Sequence, residues 1–195
     1  MSKSIISKKI LFWYDNNKRI LPWRKNTSKE QKLYFTLVSE FMLQQTQVST
    51  VIPYFKRFVQ KIPNFKKLSK ANDQTLMKLW EGLGYYSRAR NLKKSAIMIN
   101  VKFGGTLPSN IEDLKSLPGV GDYTSTAIMA IAFNQKFIPL DGNVERILKR
   151  VLYLRSEKAI SKENMQISKK FFGLSERASD YAQAIMELGA LVCRP

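Results

Sequence analysis

Residues 117–121 read Leu-Pro-Gly-Val-Gly, and twenty residues beyond Gly121 comes Asp141, in Leu-Asp-Gly-Asn-Val. Helical apolar spacing flanks the first stretch on both sides. Ser109-Asn110-Ile111-Glu112 fits a capping box that opens one short helix, and a second runs from Asp122 or Thr124 to Phe133. A Pro-Gly-x-Gly turn between two helices predicts a tight hairpin. Gly119 and Gly121 permit positive φ there and leave backbone N–H groups bare at a helix start, where the dipole favours a phosphate. An ordinary helix–turn–helix joint would use the same glycines for the bend. The aspartate opening the next helix separates the two readings, because it sets a carboxylate within reach of whatever that backbone grips.

Bulk properties narrow the class. The 195 residues carry a net charge of +18, from 33 basic against 15 acidic side chains, which favours a polyanionic partner. Richness in Lys, Asn and Ile can also reflect genome composition alone. The hydrophobic content of 44% suffices for a buried core. With no histidine, His-based triads and His-ligated metals are excluded, and the one cysteine, Cys193, rules out an internal disulfide. No run approaches the roughly 20 apolar residues of a membrane helix, and the N-terminus lacks a signal-peptide pattern. A cytoplasmic protein, nucleoid-associated if bacterial, is expected, with no membrane partner.

The remaining periodicity is helical almost throughout. Ile5–Tyr14 outlines a first helix stopped near Asn16-Asn17; Leu21–Arg24 is a connector, and a polar loop follows through about Glu30. A long apolar helix is predicted from about Leu33 to Val48, with Pro53 at the start or kink of its successor. Asn72-Asp73-Gln74 caps a helix ending near Gly82–Gly84; Arg88–Phe103 stops at Gly104-Gly105; Asp141 opens another helix. Two more cover Ser161–Phe172 and Ser179–Val192. The expected fold class is all-α.

Four further places hold residues suited to chemistry. Asp141 is a natural N-cap, but a carboxylate held ionised at a helix start can also stabilise or attack an oxocarbenium-like sugar, with Asn143 placed to orient it. Glu40 lies in Leu-Val-Ser-Glu-Phe-Met-Leu: either it occupies a solvated face, or it is buried with a raised pKa, as a general acid requires. Gln44, Gln45 and Gln47 follow on the same predicted helix and can bond base edges or fill a gap in a base stack. Gly82–Arg90 joins two aromatics to Arg88 and Arg90; aromatics can wedge between bases while arginines neutralise phosphates, or the aromatics can be core and the arginines solvated.

Together these segments resemble the helix-hairpin-helix DNA glycosylases, most closely the MutY-type adenine glycosylases. The matching stretches are Leu-Pro-Trp-Arg at 21–24, Ser-Glu-Phe-Met-Leu-Gln-Gln-Thr-Gln-Val at 39–48, Val-Ile-Pro-Tyr-Phe at 51–55 and Trp-Glu-Gly-Leu-Gly-Tyr-Tyr-Ser-Arg-Ala-Arg-Asn-Leu at 80–92. The hairpin follows, then Leu-Asp-Gly-Asn-Val-Glu-Arg-Ile-Leu at 140–148 and Met-Glu-Leu-Gly-Ala-Leu-Val-Cys at 186–193. The resemblance implies hydrolytic removal of adenine mispaired with 8-oxoguanine or guanine in duplex DNA. It makes Glu40 the acid that protonates the extruded adenine and Asp141 the carboxylate facing the sugar cation, with Tyr123 and Asn143 supporting. Gln44, Gln45, Tyr85, Arg88, Arg90, Gly119, Val120 and Gly121 would contact DNA, Gln45 and Tyr85 by insertion into the duplex. Trp23 and Arg24 would line the adenine pocket. Tyr123 stands where lyase members of the superfamily carry a Schiff-base lysine, so a monofunctional enzyme is implied. Thymine/guanine mismatch glycosylases also fit a tyrosine there, and a catalytically inactive DNA-binding fragment is the alternative from another class.

The resemblance also implies a [4Fe–4S] cluster. Cys193 matches the first of its four ligands and the other three are missing, so the chain is expected to be either a piece of a longer protein, the favoured reading, or a reduced form without the cluster. The expected architecture is a helical barrel lobe at 30–134, holding the hairpin at about 110–133, and a second lobe from 1–29 and 135–195. A monomer is expected, with the active site between the lobes.

Overall fold

The computed structural model describes residues 3–153 and 170–194. Among them there is no strand, and the all-α class read from the periodicity is what the structure shows. The helices are α1 (Lys3–Asn17), α2 (Lys29–Leu43), α3 (Val48–Lys61), α4 (Phe65–Ser69), α5 (Asp73–Trp80), α6 (Ser87–Lys102), α7 (Ile111–Ser116), α8 (Asp122–Ile131), α9 (Gly142–Val151) and α10 (Ala178–Leu191). Pro22–Arg24 forms a 3-10 turn. The helix expected over 161–172 lies, except for its last residues, outside the described part of the chain. No helix among the described residues is long and apolar enough to cross a membrane.

The chain divides into two compact units. The contiguous unit spans Ile20–Ser125; the split unit joins the residues up to Arg19 with those from Thr126 onward.

The contiguous unit is organised around α2. All ten residues from Leu33 to Met42 are buried, Thr36, Ser39 and Glu40 among them, so this stretch is covered on every side, and the helix packs against α3, α6 and the 3-10 turn. Ser28 caps it by accepting from the Gln31 amide (3.2 Å), worth about 1 kcal/mol. Leu37, Val38, Phe41 and Met42, each at 0% exposure, contribute about 1.5–3 kcal/mol apiece. Packing, not capping, decides this helix. The other elements are amphipathic: α3 turns only Val51, Phe55 and Phe58 fully inward.

Several boundaries depart from the sequence reading. The helix expected from Leu33 to Val48 ends at Leu43, because Gln45 takes a left-handed φ of 56° that no helix continues through. Pro53 neither starts nor splits α3, whose first turn is Val48–Val51. The cap of α7 is Asn110, accepting from the Asp113 amide (2.8 Å) while its Nδ2 donates to the Asp113 carboxylate (2.8 Å); Ser109 and Glu112 do not form the expected box.

In the split unit α10 packs on α1 and α9 around Leu11, Val144, Leu148, Phe172, Tyr181 and Ile185. Arg19 grips the fully buried Glu187 carboxylate in a fork, Nε at 2.9 and 3.1 Å and Nη2 at 2.8 Å. That pairing fastens the chain after α1 to the middle of α10.

Candidate functional site

Glu40 sits in the last turn of α2 at 6% exposure. The solvated-face reading of this residue is corrected: α2 has no solvated face between Leu33 and Met42. The residue is thus buried, next to Phe41 in the chain.

The hairpin, residues 117–121 between α7 and α8, lies in the same unit. Gly119 has φ 83°, and a Cβ built on it would stand 2.9 Å from Phe41 Cε1 and 3.0 Å from Asn91 Cβ. It is therefore required twice, by conformation and by the closeness of α2 and α6. Gly121 departs from expectation: its φ is not positive and its absent Cβ would meet nothing. The Val120 amide donates to the Leu117 carbonyl (3.1 Å) and its side chain is buried, which anchors the hairpin. Gly119→Ala is expected to lower stability by on the order of 2 kcal/mol, through overpacking and positive φ together, and Gly121→Ala by under about 0.5. Urea unfolding of the pair decides this; equal losses would remove the reason given for Gly119.

Two exposed corners stand beside the hairpin. Gln45 (φ 56°) and Tyr85 (φ 46°, 61% exposed) are non-glycine residues in the left-handed region, a conformation costing of order 1–3 kcal/mol that neighbours must hold. Gln44 Nε2 donates to the Gly119 carbonyl (3.3 Å) and Thr124 Oγ1 (3.4 Å), tying the end of α2 to the hairpin. Arg88, expected as a phosphate contact, is instead 6% exposed and donates to backbone carbonyls of both corners. Burial also lowers its pKa from the usual arginine value. Arg90 is exposed on α6. Trp23 is half-buried and meets Phe55 edge to face at 5.3 Å, Arg24 is half-buried beside it in the 3-10 turn, and Tyr123 is half-buried in the first turn of α8.

The split unit presents Asp141 as the N-cap of α9. Its Oδ1 accepts from the Val144 amide (2.8 Å) and its Oδ2 from Asn143 Nδ2 (2.9 Å). Asn143 is oriented by Arg146, whose Nη2 donates to Asn143 Oδ1 (2.7 Å) and to the Gly189 carbonyl (2.7 Å), while Nε donates to the Cys193 carbonyl (2.7 Å). With Oδ1 taken by a guanidinium, the amide of Asn143 has one orientation left, and that turns its NH2 to Asp141. Gly189 makes the approach possible: a Cβ there would stand 2.6 Å from Asn143 Cβ and 2.8 Å from its carbonyl oxygen. Sequence reasoning passed over Arg146 and Gly189. The i, i+3 spacing of Asn143 and Arg146 was the visible signal for the first; nothing local announces the second.

Burial pushes the pKa of Asp141 above the ordinary 3.8, against the bonds from the Val144 amide and the Asn143 side chain and the nearby charge of Arg146. The sequence reading weighed only the helix start, which favours the ionised form. A reaction that needs Asp141 ionised should therefore show an acid limb above pH 3.8 in its single-turnover pH profile. Asn143→Ala, by removing one bond that lowers the pKa, should move that limb further up. A limb left in place by Asn143→Ala would separate it from Asp141.

Cys193 is half-buried, and its sulfur accepts from Arg150 Nη1 (3.2 Å). Among the described residues no group of three or more Cys, His, Asp or Glu is disposed to hold a metal, and the chain has one cysteine. The residues present do not fit a four-thiolate cluster.

The solved structure of a thermostable thymine-DNA glycosylase resembles this fold with a TM-score of 0.85 and 25% identity, covering 99% of this chain and 88% of that one. An endonuclease III–DNA complex shares the fold at a TM-score of 0.78 with 21% identity, over 100% and 88% of the two chains. In sequence the chain is 44% identical over 197 residues to the adenine DNA glycosylase of Rattus norvegicus, covering 95% of this chain and 37% of that protein. It is 38% identical over 199 residues to that of Buchnera aphidicola subsp. Schizaphis graminum, covering 100% and 56%. The chain thus spans about half or less of the length of these curated relatives. Residues 38–172 match the HhH-GPD superfamily base excision DNA repair proteins, a span running from the Glu40 helix through the hairpin and past Asp141, and the chain belongs to that superfamily.

Proposed function

We propose that this chain binds duplex DNA and removes adenine mispaired with 8-oxoguanine or guanine by hydrolysis of its N-glycosidic bond. The observation that carries the reaction type is the chain of hydrogen bonds from Arg146 through Asn143 to Asp141. It holds one carboxylate in a set direction at a helix start, as stabilisation of a cationic sugar requires. Adenine as the base is supported by the 44% and 38% identities to proteins named adenine DNA glycosylase, and by Glu40 within Ser39–Val48.

In this reading Glu40 donates a proton to a ring nitrogen of the extruded adenine, so that the base departs as a neutral leaving group. The glycosidic electron pair leaves with the base, positive charge develops on the sugar, and the Asp141 carboxylate stabilises it until water adds at C1′ and releases a proton to solvent, from which Glu40 is reprotonated. Asn143 keeps the Asp141 oxygens aimed. Tyr123 offers no amine to form a Schiff base, so the product is an abasic site in an unbroken strand. Gln45 and Tyr85, exposed on their two corners, enter the base stack, and the net charge of +18 holds the duplex.

The test is single-turnover excision on a labelled duplex carrying adenine opposite 8-oxoguanine, with and without alkali. Strand breakage only after alkali is expected. Breakage without alkali would show lyase chemistry, and release of thymine from a thymine/guanine duplex in place of adenine would overturn the choice of base.

A further inference from the structure

Arg88 occupies the first turn of α6, yet its guanidinium points back into the contiguous unit and is almost fully buried. Its Nη1 donates to the carbonyls of Phe41 (3.2 Å), Met42 (2.8 Å) and Gln44, and to Thr46 Oγ1 (3.1 Å). Its Nη2 donates to the carbonyls of Leu83 (3.2 Å) and Gly84 (3.1 Å), and its Nε to that of Tyr85 (3.4 Å). One side chain thus collects the orphan carbonyls at the end of α2 and those of the turn before α6. The positive charge also suits the negative end of the α2 dipole.

The two segments so joined are the ones that carry the left-handed corners. Gln44, whose carbonyl takes Nη1, precedes Gln45; Gly84 and Tyr85, whose carbonyls take Nη2 and Nε, form the corner at Tyr85. Trp80 closes the same corner by donating from Nε1 to the Gly84 carbonyl (3.1 Å), and its ring lies 5.5 Å from the guanidinium carbon. Both corner side chains face solvent. Two backbone sites in a disfavoured conformation, each exposing its side chain and each held by the same buried cation, form one pre-set device.

We infer that Arg88 is a positioning residue that couples Gln45 and Tyr85, holding the pair in the conformation that enters a duplex before DNA arrives. This deepens the proposed function and rests on it. The clamp acts on extrusion of the target nucleotide and leaves cleavage of the glycosidic bond alone. Lysine cannot replace arginine here, because a single ammonium cannot reach carbonyls of two separate segments in a fixed fork.

The test compares wild type with Arg88→Lys on two duplexes, one with adenine opposite 8-oxoguanine and one with adenine opposite an abasic analogue, where no partner base resists extrusion. Arg88→Lys is expected to slow single-turnover excision at least tenfold on the first and less than threefold on the second. With 2-aminopurine at the target position, the fluorescence rise that reports unstacking should shrink in parallel. In a Gln45→Ala/Tyr85→Ala background Arg88→Lys should add less than a twofold loss, since both residues it positions are gone. Equal losses on both duplexes, or full additivity with the Gln45→Ala/Tyr85→Ala pair, would overturn the clamp and leave Arg88 a residue of the fold.

Thermal melting accompanies each variant. If Arg88→Lys melts out, Thr46→Val removes a single acceptor of Nη1 and should give a smaller loss, again only on the paired duplex; no difference between duplexes counts against the clamp. Failure of the underlying activity has another signature: wild type leaves both duplexes intact. The 2-aminopurine signal of wild type against Arg88→Lys still judges the clamp in that event.

Discussion

Asp141→Asn should lower the single-turnover rate of adenine excision by on the order of 10³-fold while leaving the protein at least as stable as wild type near neutral pH. The first half follows from the role of the carboxylate, since an amide of the same shape carries no charge for the sugar cation. The second half follows from the raised pKa. A carboxyl whose folded pKa exceeds its unfolded value favours the fold fully below the unfolded value, near 3.8, and loses that contribution as pH rises through the folded value. At neutral pH the ionised Asp141 is therefore the less favourable form for folding; a neutral Asn, itself a good N-cap that keeps the Val144 bond, relieves that cost, against the loss of the one bond from Asn143 Nδ2 that its NH2 cannot accept. Below pH 3.8 the advantage of the variant should vanish. Paired measurements of excision rate and urea midpoint at pH 7 and pH 3.5 check both halves. A variant that lost activity together with stability would reduce Asp141 to an ordinary helix cap. Glu40→Gln, from the contiguous unit, should cost about 10²- to 10⁴-fold in rate, the range for losing a general acid.

Gly189→Ala should cost both stability and activity, although residue 189 carries no functional side chain. Its added methyl would meet Asn143 Cβ at 2.6 Å and the Asn143 backbone at 2.8 and 2.9 Å. Backbone cannot swing aside as the tip of a side chain can, so α9 and α10 must separate at this point. Overpacking of this kind costs about 3 kcal/mol. The displacement falls on the residue that aims Asp141, and the Arg146 bond to the Gly189 carbonyl (2.7 Å) ties the two helices at the same place. An excision rate lowered at least tenfold at a temperature where the variant remains folded is the expected result. Loss of stability alone, with the rate per folded molecule unchanged, would show that Asp141 tolerates movement of Asn143.

The sequence made the fold class plain because helical periodicity repeats from α1 to α10 and the punctuating residues act locally. Asn72 caps α5 as expected, accepting from the Gln74 amide (2.7 Å), and Gly104 and Gly105 end α6 with φ of 61° and 82°. Asp141 could be singled out for the same reason: its hydrogen bonds run to residues two and three positions away. What failed were inferences needing knowledge of distant neighbours. The break at Gln44–Gln47 was read as helix because Gln-Gln-Thr-Gln has no breaker; its left-handed corner is held by an arginine more than forty residues along. For Arg88 the sequence offers a phosphate contact or a solvated helix face, and only the fold, which buries it against two loop ends, excludes both.

The sequence by itself determined that this chain is all-helical, that a Pro-Gly-x-Gly hairpin stands between α7 and α8, and that one carboxylate opens α9, since each depends on periodicity or on bonds spanning a few residues. Only the tertiary structure decided that Glu40 is buried, that Arg88 serves two loop ends, and that Arg146 and Gly189 aim Asp141 through Asn143. These depend on which helix faces lie within 3 Å of one another, and that is set by close packing of the whole core.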